Sequence, residues 1–245
     1  MLTYKPKFIV CDNGDQIADI VCKQFTDTIK NNPRAVFIFP TGSTPCKTYA
    51  KLVLDHKMNG TSWKDVISFN CDEYVMPNNN FPDQTYHYFM DQQLFNHIDI
   101  NRNNIHFPDE SKKNGGYLKD IQAAGKADIC FLGIGTNGHI AFNEPVSAQD
   151  SLTRIVDLTP ETIEANSRFF GNDINNVPKQ ALSMGLKTIV DGSKKVVMIA
   201  TGANKKEIIE KLSQLDHFDI NLPASCLLYH PNVEIYLDKE SDFHK

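Results

Sequence analysis

The chain has no Cys-x-x-Cys pair, no long basic run and no apolar stretch close to the ~20 residues that a membrane helix needs. Each absence removes a class of protein. Its six cysteines (Cys11, Cys22, Cys46, Cys71, Cys130 and Cys226) are scattered over 245 residues, several in apolar runs where cysteine behaves as a small hydrophobe. A disulfide framework belongs to much shorter secreted chains, so free thiols are expected. The N-terminus, MLTYKPKFIVCDNGDQ, lacks the hydrophobic segment of a secretory signal, and a soluble, cytoplasmic protein is the expectation. Net charge is −5 without a basic stretch, which argues against nucleic acid and membrane as main partners. A small anion stays open, because local Lys and Arg placement decides that. There is no HExxH and no Cys/His metal spacing, and Gly-x-Gly-x-x-Gly is missing after the first strand. Neither a metal nor a nicotinamide cofactor is expected.

Hydrophobic residues make up 41% and charged residues 22%, as in ordinary globular proteins. Short apolar runs alternate with helical patterns. The strand candidates are FIVC (8–11), AVFIF (35–39), VISFN (66–70), DICFLGI (128–134), KVVMIA (195–200) and VEIYL (233–237). Between them, DQIADIVCKQFTDTIK repeats apolar residues near period 3.6, and TYHYFMDQQLFNHI, TPETIEANSRFF and NKKEIIEKLSQL are further helix candidates. The alternation predicts a single α/β domain with an open, mostly parallel twisted sheet and helices on both faces, Rossmann-like in plan. The polar stretch at residues 76–84 is loop-sized.

In such a sheet ligands bind beyond the carboxyl ends of the strands. Four ends carry functional groups. FIFPTGSTP (37–45) leaves its strand through Thr41, Gly42, Ser43 and Thr44 and opens a helix at Pro45. Free backbone N–H groups and a positive dipole end there suit an anion, and helix capping by Thr44 uses the same geometry. KKVVMIATGANKKE (194–207) repeats the plan at Thr201-Gly202. Lys205 in a first helical turn opposes the dipole unless an anion offsets it, although a solvated lysine is the plainer reading. Arg168, in ANSRFF, is a second candidate cation or a structural arginine. In VISFNCDEYVMP, Asp72 and Glu73 follow a strand directly. Neighbours in extended chain face opposite ways, so one carboxylate points to the ligand crevice and the other away. A carboxylate at a strand end suits a general base or, alternatively, a turn or cap. Last, GIGTNGHIAFNEP (133–145) exits through glycines, Gly133 first, that let backbone approach a ligand. It then presents His139, with Glu144 five residues on. That order suits an imidazole oriented for proton transfer, against the alternative of a structural histidine.

Together PTGSTP, FNCDEY, GIGTNGHIAFNEP, ANSRFF and TGANK resemble, in order and spacing, the glucosamine-6-phosphate deaminases of the sugar-phosphate isomerase and lactonase superfamily. The resemblance implies a cofactor-free conversion of glucosamine 6-phosphate and water to fructose 6-phosphate and ammonia in amino-sugar catabolism. It implies Asp72 as the base for the C2 proton and His139 as the ring-opening acid/base, oriented by Glu144. Thr41, Gly42, Ser43 and Thr44, with Arg168 and Lys205, would hold the phosphate, and Tyr86 would belong to a short lid segment.

Two departures qualify this. Some relatives carry an acidic residue where this chain has Asn137, which accepts a hydrogen bond but adds no charge, so Glu144 alone is expected to supply it. Relatives activated by N-acetylglucosamine 6-phosphate use a basic cluster and a C-terminal extension. Here SLTRIVDL keeps Arg154 but has Val156 at the place of a lysine, and the chain ends at DKESDFHK. Weak or absent activation and a monomer or small homo-oligomer are expected. The rivals are a 6-phosphogluconolactonase-type hydrolase, which by resemblance lacks the DEY and FNEP segments, and a non-enzymatic sugar-phosphate sensor, for which no DNA-binding module is present.

Overall fold

The computed structural model describes residues 2–76 and 81–244. Alternation sets the plan. Strand β1 (Lys7–Val10) leads to α1 (Gly14–Asn31), β2 (Val36–Phe39) to α2 (Cys46–Asn59), and β3 (Ile67–Asn70) is followed at once by β4 (Asp72–Val75). Then come α3 (Tyr86–Gln93), β5 (Ile105–His106), α4 (Gly116–Ala123), β6 (Ile129–Gly133), β7 (Arg154–Asp157), α5 (Pro160–Asn166) and β8 (Gln180–Ser183). The chain finishes with α6 (Leu186–Gly192), β9 (Val196–Ala200), α7 (Lys206–Gln214) and β10 (Val233–Leu237).

Seven strands form one parallel sheet in the order β1-β10-β9-β6-β2-β3-β5. All residues of VFIF in β2 and VVMIA in β9 are buried, the mark of parallel strands covered on both faces. Side chains alternate between two cores. Val36 and Ile38 face Ile121, Ile189 and Ile209 of α4, α6 and α7. Phe37 and Phe39 face Phe25 of α1 and Tyr49 of α2. Phe25 lies 4.8, 5.5 and 5.8 Å from the rings of Phe37, Phe39 and Phe131. Truncating it to alanine should cost about 3–5 kcal/mol. Helix α1 presents Ile17, Val21, Phe25 and Ile29 to this core, and Asn13 caps it by accepting from Asp15 N and Gln16 N.

The order holds a switch point. From β2 the chain moves to β3 and β5 on one side, whereas from β6 it moves to β9 and β10 on the other. Beyond the carboxyl ends of β2 and β6 such a switch point is where a ligand crevice is expected. Among the described residues, all six cysteines are free and no helix is long and apolar enough to cross a membrane.

The sequence reading omitted a second sheet, antiparallel, in the order β4-β8-β7. Asp72 pairs with Ser183, and Ser183 in turn with Arg154. Its strands have four residues each and carry polar groups at their ends (Arg154, Asp157, Gln180, Ser183), so no apolar run announces them. Two expected helices are also shorter: α3 gives way to a 3-10 turn at Phe95–His97, and α5 to one at Ser167–Phe169. Of the loop expected at 76–84, residues 77–80 lie outside the described residues, and Pro82–Gln84 forms a 3-10 turn.

Candidate active site

The turn after β2 is pinned by the buried Tyr49, whose hydroxyl donates to Pro40 O at 2.6 Å. Gly42 has φ +90 and is exposed. Contrary to the capping expectation, Thr44 makes no cap: α2 starts at Cys46 with no side-chain acceptor on its first amides. Thr44 instead packs on Gly133 at the end of β6, where an added Cβ would lie 3.5 Å from its hydroxyl oxygen. The β2 and β6 turns are thus in direct contact. The Tyr86 hydroxyl interacts with Thr41 and Tyr74, and the Tyr74 and Tyr86 rings lie 4.6 Å apart. Tyr86 is stacked on Phe142, and Asn166 donates to Tyr74 at 2.9 Å. Tyr86 therefore closes over the β2 turn.

On β4 the two acidic neighbours diverge as extended chain requires. Asp72 is buried at 6% exposure. Burial, with the Glu73 charge beside it, pushes its carboxyl up to about 8. Glu73 faces the other way, toward α3.

The turn after β6 builds a three-residue relay. His139 Nδ1 hydrogen-bonds Asn137 Oδ1 at 2.7 Å and lies 3.4 Å from Glu144 Oε2. Asn137 Nδ2 donates to that same Glu144 oxygen at 2.7 Å. One orientation of the amide satisfies both bonds, with Nδ1–H of His139 donating and Nε2 left for a ligand. Thr162, from α5, donates to Glu144 Oε1 at 3.2 Å. Burial raises the Glu144 carboxyl, but the bonds from His139, Asn137 and Thr162 outweigh it and hold the group below its ordinary value. Gly135 explains the spelling of this turn: an added Cβ would sit 2.3 Å from the His139 ring. Any side chain there would evict the imidazole. An open cavity of about 490 Å³ lies before Asn137, His139, Glu144 and Thr162.

The β9 turn differs from its twin. Gly202 N already donates to both Asp238 carboxylate oxygens at 3.1 Å, so this turn is satisfied from within. Lys205 is half-buried, and burial lowers its ammonium. Among the described residues it pairs with no carboxylate. Lys205 is one helical turn before Ile208, which packs against the Gly138 turn. Arg168 stays apart. It is exposed on the 3-10 turn after α5, over the Phe169 ring at 4.7 Å, and no contact links it to Thr41–Thr44 among the described residues.

Sequence reading missed Thr162 and the role of Asn143. Asn143 is fully buried, donates to Ile140 O and Met184 O, and accepts from Arg154 Nη1 at 2.9 Å. Arg154 thus braces the FNEP segment, and the helix-opening Thr-Pro-x-Thr pattern was the available signal for Thr162.

Fold and site define an α/β protein with a buried carboxyl and a histidine–carboxylate relay at the switch point of a parallel sheet. Residues 12–236 match the family model of glucosamine-6-phosphate isomerases/6-phosphogluconolactonase, and the chain belongs to that family. A glucosamine-6-phosphate deaminase of Mycoplasma mycoides subsp. mycoides is 46% identical over 239 residues, covering 96% of each chain. The structure of a monomeric glucosamine-6-phosphate deaminase superposes with TM-score 0.88 at 34% identity, over 96% of this chain and 98% of that one. A 6-phosphogluconolactonase from Thermotoga maritima gives TM-score 0.72 at 20% identity, over 96% of this chain and all of that one, which speaks for the fold alone.

Proposed function

We propose that this chain converts glucosamine 6-phosphate and water to fructose 6-phosphate and ammonia. The observation that carries the reading is the pair of carboxyl groups with opposite environments: Asp72 raised to about 8, and Glu144 lowered beside His139. Groups pushed apart in this way mark separate acid and base duties.

The phosphate sits on the uncapped turn of Thr41, Gly42, Ser43 and Thr44, against Gly133, with Lys205 and Arg168 as the candidate cations. His139 delivers a proton from Nε2 to the ring oxygen, while Asn137 and Glu144 hold Nδ1–H. The open-chain aldehyde then loses its C2 proton to Asp72 while its oxygen takes a proton from the C2 ammonium, and Asp72 returns its proton at C1. The resulting C2 imine adds water and releases ammonia, so one water is consumed for each ammonia formed. The carboxyl of Asp72 is largely protonated in the free protein at neutral pH. An ammonium on C2 brings it the positive charge it lacks and lowers its pKa, so the base ionises when substrate arrives. Tyr86 covers the sugar as a lid. Asn137 supplies an acceptor to His139 without adding charge, which leaves Glu144 as the sole carboxylate of the relay. A monomer or small homo-oligomer without N-acetylglucosamine 6-phosphate activation is part of this reading, supported by the bonds of Arg154 to Asn143 and Ser147.

The test is to incubate purified protein with glucosamine 6-phosphate and assay both products. Equal release of ammonia and fructose 6-phosphate is expected. A folded protein that binds the sugar phosphate and releases neither product rules the reading out.

A further inference from the structure

Glu73 takes no part in the chemistry above, yet it is largely buried beside the proposed base. Its Oε1 accepts from Tyr74 N and Tyr86 N, both at 2.8 Å, and its Oε2 from His87 N at 2.9 Å. Thr85 accepts from Tyr88 N at 3.0 Å. The first three amides of α3 are therefore all satisfied, two of them by a side chain thirteen and fourteen residues away on another element. A local cap would have secured the helix alone. A distant one also fixes where the helix sits, and that helix opens with Tyr86, whose hydroxyl meets Thr41 and Tyr74.

We propose that Glu73 is a positioning residue, which clamps α3 to β4 so that Tyr86 stands over the β2 turn in register with Asp72. The inference rests on the deaminase reading of Asp72 and goes beyond it. The clamp joins base and lid through consecutive residues of one short strand, so the two cannot shift independently.

Charge adds a second consequence. The groups that act on Asp72 from the elements around it are Glu73 and Tyr74 of β4, the adjoining Cys71, Tyr49 of α2, Tyr86 of α3 and Tyr117 of α4. Burial holds the tyrosines and Cys71 neutral, leaving Glu73 as the ionised neighbour among the described residues. On Glu73 itself, burial raises the carboxyl, while the three amides and His87 pull it back.

The experiment measures kcat/KM against pH for the unaltered chain, E73Q, Y86F and the double variant, together with amide exchange at Tyr86 and His87. We expect E73Q to lose about 10- to 100-fold in kcat/KM, the scale of a misplaced reacting group. Its acidic limb should move to lower pH, because the like charge beside Asp72 is gone. The E73Q and Y86F losses should combine to less than their product. E73D keeps the charge without the reach, so it should restore the limb and leave kcat/KM low. Full multiplicativity with an unmoved limb would reduce Glu73 to an ordinary cap and overturn the proposal. Release of no ammonia by the unaltered chain sinks the deaminase reading instead. The clamp is then judged by exchange alone: faster exchange at both amides in E73Q supports it, and unchanged exchange refutes it.

Discussion

Two carboxyl groups of the candidate site stand under opposite conditions. Asp72 stands on a regular strand, buried at 6% exposure, and its carboxyl is raised to about 8 by burial and by Glu73. Glu144 stands on a turn, surrounded by His139, Asn137 and Thr162, and is held low by the bonds they donate. The residue type is nearly the same. What differs is whether the protein supplies donors to the ionised form, and the proposed duties of base for Asp72 and relay for Glu144 rest on that difference.

The largest expected effect breaks the first half of this comparison. D72N should cut kcat by about 10²- to 10⁴-fold, the usual worth of a general base, and leave KM nearly unchanged. Loss of binding with turnover intact would give Asp72 a structural role. The same variant carries a stability signature. The folded carboxyl titrates near 8, against about 3.9 in an unfolded chain. Its contribution is therefore full below about 3.9 and is lost as pH rises through about 8. D72N, neutral throughout, should melt above the unaltered chain at pH 9 and show a smaller difference at pH 5. A gap that does not grow with pH contradicts the assigned environment.

E144Q breaks the other half and should reverse the sign. Turnover should fall about tenfold or more, since His139 loses the carboxylate beside it. The lowered folded pKa means that the stabilisation is present above the unfolded value, about 4.3, and is lost as pH falls through the folded one. E144Q should thus melt below the unaltered chain at pH 7, and the two should converge in acid. Unchanged turnover and pH profile would show that Asn137 and His139 suffice without a charge.

A third comparison sharpens the phosphate turn. K205A should raise KM for the sugar phosphate by roughly tenfold, because its ammonium is half-buried and pairs with no carboxylate among the described residues, and R168A should raise it less. Equal effects, read from steady-state kinetics, would mean that the turn bearing Arg168 reaches the anion as readily as α7 does.

How much of this was legible depends on range. The β2 and β6 strands, the glycine exit and His139 with Glu144 are local patterns, and each appears where its residues predict. The opposite facing of Asp72 and Glu73 follows from strand geometry alone. The β4-β8-β7 sheet was not legible, since its stability comes from partners more than a hundred residues apart along the chain for β4 and β8. Thr201-Gly202 misled for the same reason: its amide is taken by Asp238, which stands after a different strand.

The smallest expected effect concerns what holds Glu144 in place. Val146 has φ +75, a conformation that a β-branched residue adopts only under strain, and its amide donates to Ile220 O at 2.8 Å. Ala141, at φ +50, strains the other flank. Asp72 needs nothing comparable on its strand. The Val146 side chain is 72% exposed, so V146G gives up little packing. Strain of this kind is worth about 1–3 kcal/mol, and glycine returns about 0.5–1 kcal/mol of that through its freer unfolded chain. A net gain near 1 kcal/mol should raise Tm by about 2–4 °C. Turnover should stay within about twofold, since the two hydrogen bonds to Glu144 and its contact with His139, rather than the strained backbone, fix its carboxylate. A V146G chain that is more stable but clearly slower would instead assign the strain a part in aiming Glu144 at His139.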